Sequence, residues 1–172
     1  MGLKGVGLFI VALLIEIFFL SQDLHFKNNN ISLNKIDIEF QNSKTFQIDK
    51  NNINTILVCD KIQQLKGYKL FYKPIATIYD TNLTKTIIAN FARLDDKTNI
   101  LTLKDNIKII YHDKILKTNL LVYNTKTKIV TDSQPFIINS KNFNAKGNHL
   151  YFDTNFNIMK ASNITYNLNI GK

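Results

Sequence analysis

The side chains able to do chemistry are few and far apart. Three histidines, His25, His112 and His149, and one cysteine, Cys59, are spread over 172 residues. Nucleophilic or acid–base catalysis needs a nucleophile, a base and an orienting group held together, and no nucleophile is spaced to match any of the three histidines. His112-Asp113 reads as a polar turn, His25 precedes the body of the chain, and His149 follows Gly147 by two residues and decorates a strand. Cys59 follows the apolar run Ile56-Leu57-Val58 and reads as a small buried residue; alone, it makes no intramolecular disulfide. No Cys/His cluster has metal-ligand spacing. The expectation is therefore a protein without catalytic residues, metal or cofactor.

One charged residue is out of place. Residues 3–20 read LKGVGLFIVALLIEIFFL, 18 residues that as a helix would reach roughly 27 Å, just enough for a hydrocarbon core about 30 Å thick. Within it stands Glu16, and a carboxylate at that depth usually faces a partner or water, which predicts a helix–helix contact. The alternative is that Glu16 snorkels to the nearby interface. No small-x-small cleavage site follows, since the exit is Phe18-Phe19-Leu20-Ser21-Gln22-Asp23, so an uncleaved anchor is expected over a signal peptide. Lys4 at the start of the segment and Asp23 after it place the amino terminus in the cytoplasm and the rest of the chain outside it. The single cysteine lies too far along to carry a lipid anchor.

A mass of 19.8 kDa fits one domain. Apolar residues at 45% and charged residues at 20% exclude both wholesale disorder and a polytopic membrane protein. The net charge of +9 comes almost wholly from lysine, with Arg93 the single arginine. Sequence-reading of DNA favours the guanidinium fork, so nucleic acid is not an expected partner.

After residue 26 no sustained helical spacing occurs, whereas alternation of period two recurs, which predicts an all-β body. Ile36, Ile38 and Phe40 alternate with Asp37 and Glu39; Phe46/Ile48, Leu101/Leu103, Ile107/Ile109 and Leu121/Tyr123 continue the pattern. Turn clusters separate the runs: Asp95-Asp96-Lys97-Thr98-Asn99, Asn124-Thr125-Lys126-Thr127 and Asp153-Thr154-Asn155. Aligning these turns exposes a repeat of 29 residues in which Leu94, Tyr123 and Phe152 coincide. Asp95, Asn124 and Asp153 follow them; Ala92, Leu121 and Leu150 precede them by two; Ile100, Ile129 and Ile158 come after the turn. The unit is one hairpin. Repeated hairpins with one apolar face can bury it only by stacking, so a solenoid-like or jelly-roll sheet pair is expected, with residues 31–90 continuing it through longer connections.

Two consequences follow from that geometry. If the sheets stand slightly apart, the interior can enclose a long apolar ligand. An open jelly roll also leaves unpaired strands at its ends, which invite strand addition by another β-protein. Residues 158–170 and 31–40 are the candidate edges, with Ile164, Tyr166 and Leu168 as contacts on one and Ile36, Ile38 and Phe40 on the other. The competing reading is a dry core with edges protected by lysines.

The order of features resembles the LptC family of lipopolysaccharide export proteins. The residues that carry the likeness are the short anchor, then Ala89-x-x-Ala92-x-Leu94-Asp95, Asn99-x-Leu101-x-Leu103 and Asn106-x-Lys108. Leu116 through Asn124, Gln134-Pro135-Phe136 and Gly147 through Asp153 continue it. One departure is that Lys104 or Asp105 stands where the family usually carries Gly, so the resemblance does not supply the turn type there. It implies a bitopic inner-membrane protein with an anchor helix over 1–22, a linker over 23–30 and a periplasmic twisted β-jelly roll of antiparallel hairpins over 31–172. The acyl chains of lipopolysaccharide would ride in an apolar groove, received from an inner-membrane ABC transporter and passed to a periplasmic bridge protein of the same fold. The amino-terminal edge would meet the transporter's jelly-roll domain, the carboxy-terminal edge the bridge protein, and Glu16 the transporter's helices.

On that reading one strand face lines the groove: Ala92, Leu94, Leu103, Ile107, Ile109, Leu121, Tyr123, Phe136, Ile138, Leu150 and Phe152. Phe91, Leu120 and Tyr151 form a rival row, and a one-residue slip exchanges the two faces. The lysine excess suits an anionic lipid whose phosphates stay at the rim, and equally an ordinary solvated surface. A different class of function is a membrane-anchored scaffold or adhesin with no lipid ligand. Finally, Asp80-Thr81-Asn82-Leu83-Thr84 looks like an acidic extended glycosylation sequon, with Asn82 as the acceptor, although a chain with 23 asparagines produces such matches by chance.

Overall fold

The computed structural model describes residues 36–49, 52–80, 83–153, 155–156 and 158–168. The anchor, Glu16, His25 and Asn82 lie outside them. The described residues form twelve strands and no helix: β1 (Ile36–Asp49), β2 (Asn52–Leu65), β3 (Tyr68–Tyr72), β4 (Ile75–Asp80), β5 (Leu83–Ile88), β6 (Phe91–Asp95), β7 (Ile100–Tyr111), β8 (Lys114–Asn124), β9 (Ile129–Asp132), β10 (Phe136–Asn139), β11 (Phe143–Asp153) and β12 (Ile158–Leu168). All join one antiparallel sheet, as the period-two pattern predicts.

The long strands change neighbours midway. Residues 55–58 of β2 pair with β4 and residues 61–65 with β3. Residues 100–104 of β7 pair with β6 and 108–111 with β5. β8 does the same with β10 and β9, and so does β11. The sheet is thus folded along one line through the middles of the long strands. One wing holds β3, β6 and β9, the other β4, β5 and β10. Their inner faces meet in a single core cluster that includes Leu57, Ile78 and Ile87 from one wing and Ala92, Leu101 and Phe152 from the other. This arrangement is consistent with a jelly roll, and it differs from stacked short hairpins because strands of up to 14 residues run through both wings.

Bending a strand needs a local break in the ladder. In β7 the pairing with β8 shifts between Lys104 and Ile107, and Asp105 and Asn106 adopt φ of 61° and 53°. These residues take the left-handed conformation that glycine would otherwise supply; Asp and Asn tolerate it best among other residues. The Asn106 amide donates to Asn119 Oδ1 at 3.2 Å. Asn42, His149 and Asn163 hold similar angles within β1, β11 and β12. At the fold line Thr118 Oγ1 donates to the buried Asp132, whose other carboxylate oxygen accepts the Gln134 amide at 2.7 Å. Burial raises the Asp132 carboxyl above the usual range, opposed by these hydrogen bonds and by the charge of His149.

The 29-residue repeat has a physical basis at one rim. Asp95 Oδ1 accepts the amides of Lys97 and Thr98 at 3.1 and 2.9 Å. Asn124 Oδ1 accepts those of Lys126 and Thr127 at 3.0 Å each, and Asp153 Oδ1 those of Asn155 and Phe156 at 2.9 and 3.3 Å. Each side chain closes its own turn. The turns interlock: the Thr125 amide donates to Asn99 O and Asn155 Nδ2 to Thr127 O. The amino-terminal half, expected to have longer connections, instead holds the two longest strands, joined between Asp49 and Asn52.

The hydrogen bonds from Thr98 and Lys97 hold the Asp95 carboxyl below its usual value of 3.8. A carboxylate with a depressed pKa stabilises the fold above the unfolded value and loses that contribution as pH falls through the folded one. Asp95→Ala in the full chain should therefore cost about 1 kcal/mol in urea unfolding at pH 7. The difference from wild type should shrink as pH is taken below 3.8, and a pH-independent difference would contradict the turn's role.

Candidate functional site

The inner faces of the wings are built from rungs, each made of directly paired residues from successive strands. In one wing Ile62, Phe71, Ala92, Leu103 and Leu121 form a rung near the fold line. Closer to the rim, Gln64, Lys69, Leu94, Leu101, Tyr123, Val130, Phe152 and Met159 form another. In the facing wing Leu57, Ala76, Ile87, Ile109, Leu116, Ile138 and Ala145 are joined in the same way. The repeated triplet Leu94, Tyr123 and Phe152 occupies a single rung, with Leu101 and Val130 between its members.

All eleven residues named for the groove face are buried in this interior, none more than 3% exposed. The rival row, Phe91, Leu120 and Tyr151, is half-buried on the outer face; there Phe91 and Leu120 both pair with Lys104. Burial thus selects between the two registers. The groove set named from the sequence omitted Leu57, Ala76, Ile78, Ile87, Leu101, Leu116 and Val130, all of them buried too. Leu101 lies in step with Leu103, so alternation carried to the strand end would have found it; Leu116 does not, because the inward face of β8 changes parity between Thr118 and Leu121. Ala76 and Ile87 sit on short strands whose period is too brief to read.

An apolar cavity of about 30 Å³ lies between the wings, lined by Leu57, Phe71, Pro74, Ala76, Ile87, Ala92, Leu101 and Leu103. No polar surface lines it. Tyr123 is the one aromatic hydroxyl fully enclosed without a partner among the described residues, and burial pushes its phenol well above the usual value. Cys59 is 1% exposed and its thiol is pushed up to about 12 by burial, with the Asp60 charge adding to it, which makes it inert. His112 occupies the β7–β8 turn and His149 lies exposed in β11. Among the described residues no His, Cys, Asp and Glu group is arranged to hold a metal.

The two edges are as open as the pairing allows. Among the described residues β1 pairs only with β2 and β12 only with β11. Ile36 (42%), Phe40 (48%), Ile164 (52%), Tyr166 (40%) and Leu168 (62%) are exposed, and Ile38 is half-buried. Tyr166 stacks on Phe143 at 5.3 Å between ring centroids.

Among known families, the one described as lipopolysaccharide-assembly, LptC-related, matches residues 8–167, which reaches from the amino-terminal apolar stretch to the last strand. No curated protein matches the chain.

Two substitutions test the packing. A Cβ on Gly147 would stand 2.9 Å from Phe136 Cζ and 3.2 Å from the Ser162 carbonyl oxygen. Gly147→Ala must displace the buried Phe136 ring, and about 1–3 kcal/mol of stability should be lost. Leu121→Ala empties a fully enclosed site and should cost about 2–5 kcal/mol. Chemical denaturation of the full chain reads both; an unchanged midpoint for either would contradict the packing described.

Proposed function

The chain belongs to the LptC-related lipopolysaccharide-assembly family and acts in lipopolysaccharide transport, and on that premise we propose that its folded sheet is the carrier surface for the lipid. It receives lipopolysaccharide from an inner-membrane ABC transporter and passes it to a periplasmic bridge protein of the same fold. Residues 31–172 form the periplasmic domain, residues 1–22 the single-pass anchor with a cytoplasmic amino terminus, and residues 23–30 the linker. Among the described residues no helix is long and apolar enough to cross a membrane, and the anchor lies outside them. Glu16 contacts the transporter's helices. β1 joins the transporter's jelly roll through Ile36, Ile38 and Phe40, and β12 joins the bridge protein through Ile164, Tyr166 and Leu168.

The observation that carries this reading is the predominantly apolar lining of both wings, with all eleven groove residues turned inward. The present cavity, about 30 Å³, admits a water-sized molecule but not an acyl chain. An acyl chain therefore enters only as the wings part. Parting breaks side-chain contacts but leaves the ladder within each wing intact, so the fold line is where the motion is cheapest. A second reading, a scaffold with a permanently dry core, draws on the same full burial.

Photocrosslinking in cells separates the two. A photoreactive residue replaces Ile109, which is fully buried, or Lys108, which is exposed and paired with Ile88 on the outer face. Lipopolysaccharide adducts are expected at position 109 and absent at 108. Adducts at neither position in a folded protein would replace the carrier with the scaffold. A photoreactive residue at Ile164 should capture a different protein from one at Phe40; capture of one protein at both would overturn the assignment of edges.

A further inference from the structure

The interior is not uniformly apolar, and its polar residues are not evenly spread. On the rim-side rung of one wing Gln47, Thr55, Ile78, Lys85 and Tyr111 are directly paired in sequence across β1, β2, β4, β5 and β7. On the rim-side rung of the facing wing, Gln64 and Lys69 occupy β2 and β3 before the rung turns apolar at Leu94. Lys85 is 3% exposed, Lys69 7% and Thr55 0%. Gln47 Oε1, Thr55 Oγ1 and Gln64 Oε1 are enclosed without a hydrogen-bond partner among the described residues. Such atoms cost free energy when left unsatisfied, and in native structures they call for a missing water or ligand. Further along, the Lys69 rung is apolar at Leu101, Val130 and Phe152 apart from Tyr123, while the Lys85 rung continues through Tyr111 to the half-buried Lys114.

We propose that the rim of the cleft at its amino-terminal half is a binding site for the phosphorylated, hydroxyl-rich sugar headgroup of an anionic glycolipid, with Lys69 and Lys85 on opposite wings as its cationic contacts. The proposal rests on the carrier reading above and says where along the domain the headgroup is held. The chemistry matches in three respects. The two ammonium groups suit phosphate as point charges. The orphaned hydroxyl and amide oxygens can exchange hydrogen bonds with sugar hydroxyls. The next rung toward the fold line, Leu57, Ala76 and Ile87, is apolar and lies where the acyl chains of that lipid would enter. Lys85 Nζ stands 5.5 Å from the Tyr111 ring centroid, which orients it. Burial lowers the Lys69 pKa against the opposing field of Asp96, and an arriving phosphate would favour its charged form. Because the two buried lysines of the interior lie on β5 and β3, toward the amino-terminal edge of the sheet, the site marks the receiving end of the groove.

The test measures affinity of the full chain in detergent for lipopolysaccharide and for the same lipid stripped of its phosphates. Lys69→Met and Lys85→Met keep the length and apolar stem while removing the charge; Lys104→Met, exposed on the outer face, is the control. At low salt each interior variant should lose about tenfold or more in affinity for the phosphorylated lipid. Each should match wild type for the stripped lipid, and Lys104→Met should bind both as wild type does. Interior variants that bind the phosphorylated lipid as tightly as wild type overturn the headgroup site and leave the carrier standing. No binding of either lipid by wild type removes the carrier and this site with it. Lysine-dependent binding of inorganic phosphate as tight as that of the phosphorylated lipid assigns the pair to a free anion and overturns the proposal. Should a methionine variant fail to fold, the wild-type comparison decides alone: equal affinity for the two lipids overturns the site.

Discussion

A broad antiparallel sheet with one apolar face must cover that face, and here the sheet covers it with itself. Each long strand crosses the line along which the sheet is folded, so the same chain supplies both walls of the interior. Hydrophobic burial is the dominant favourable contribution to folding, and with one free cysteine and no metal-ligand group among the described residues no covalent or metal staple supplements it. The bend is therefore the constraint on which the rest depends. It sets where the ladder breaks, which residues adopt left-handed angles, and why short strands occur in pairs on either side of the long ones.

The fold line and the rims divide the labour. At the fold line, Asp105, Asn106 and His149 bend the strands and the Thr118–Asp132 contact ties β8 to the end of β9. At one rim, three Asx turns repeat the same backbone closure. Between them the rungs are filled by Ile, Leu, Phe and Ala. The turns set the spacing between hairpins, and that spacing keeps Leu94, Tyr123 and Phe152 on one rung. A carrier needs this combination of stiff wings and a soft line between them, because the ligand must displace packing without dissolving hydrogen bonds.

The edges follow from the same topology. A sheet folded on itself is closed across its face and leaves its first and last strands as edges, and among the described residues β1 and β12 each have one partner. Their exposed apolar residues are a liability for a solitary protein and an asset for one that joins others end to end. The buried lysines of the interior lie toward β1, whereas the buried Thr118 and Asp132 sit further along at the fold line.

Alternation of apolar and polar residues determined the all-β class and the hairpin turns, because a strand's pattern is a local property of period two; which of the two faces turns inward was left to the structure, where β8 and β11 change parity midway. The 29-residue repeat was visible because identical turns demand similar side chains at identical intervals. Family membership was legible from the order of these features, without any single diagnostic motif. Which strands pair was not, since β2 meets both β3 and β4 and β7 meets both β5 and β6, and nothing local distinguishes a strand that ends from one that bends. Asp105 and Asn106 look like ordinary polar strand residues until the bend requires their angles. Lys69 and Lys85 look like solvated surface charges within a lysine-rich chain. Only the folding of the sheet turns them inward, because burial of a side chain depends on what the opposite wing brings to it and not on its neighbours along the chain.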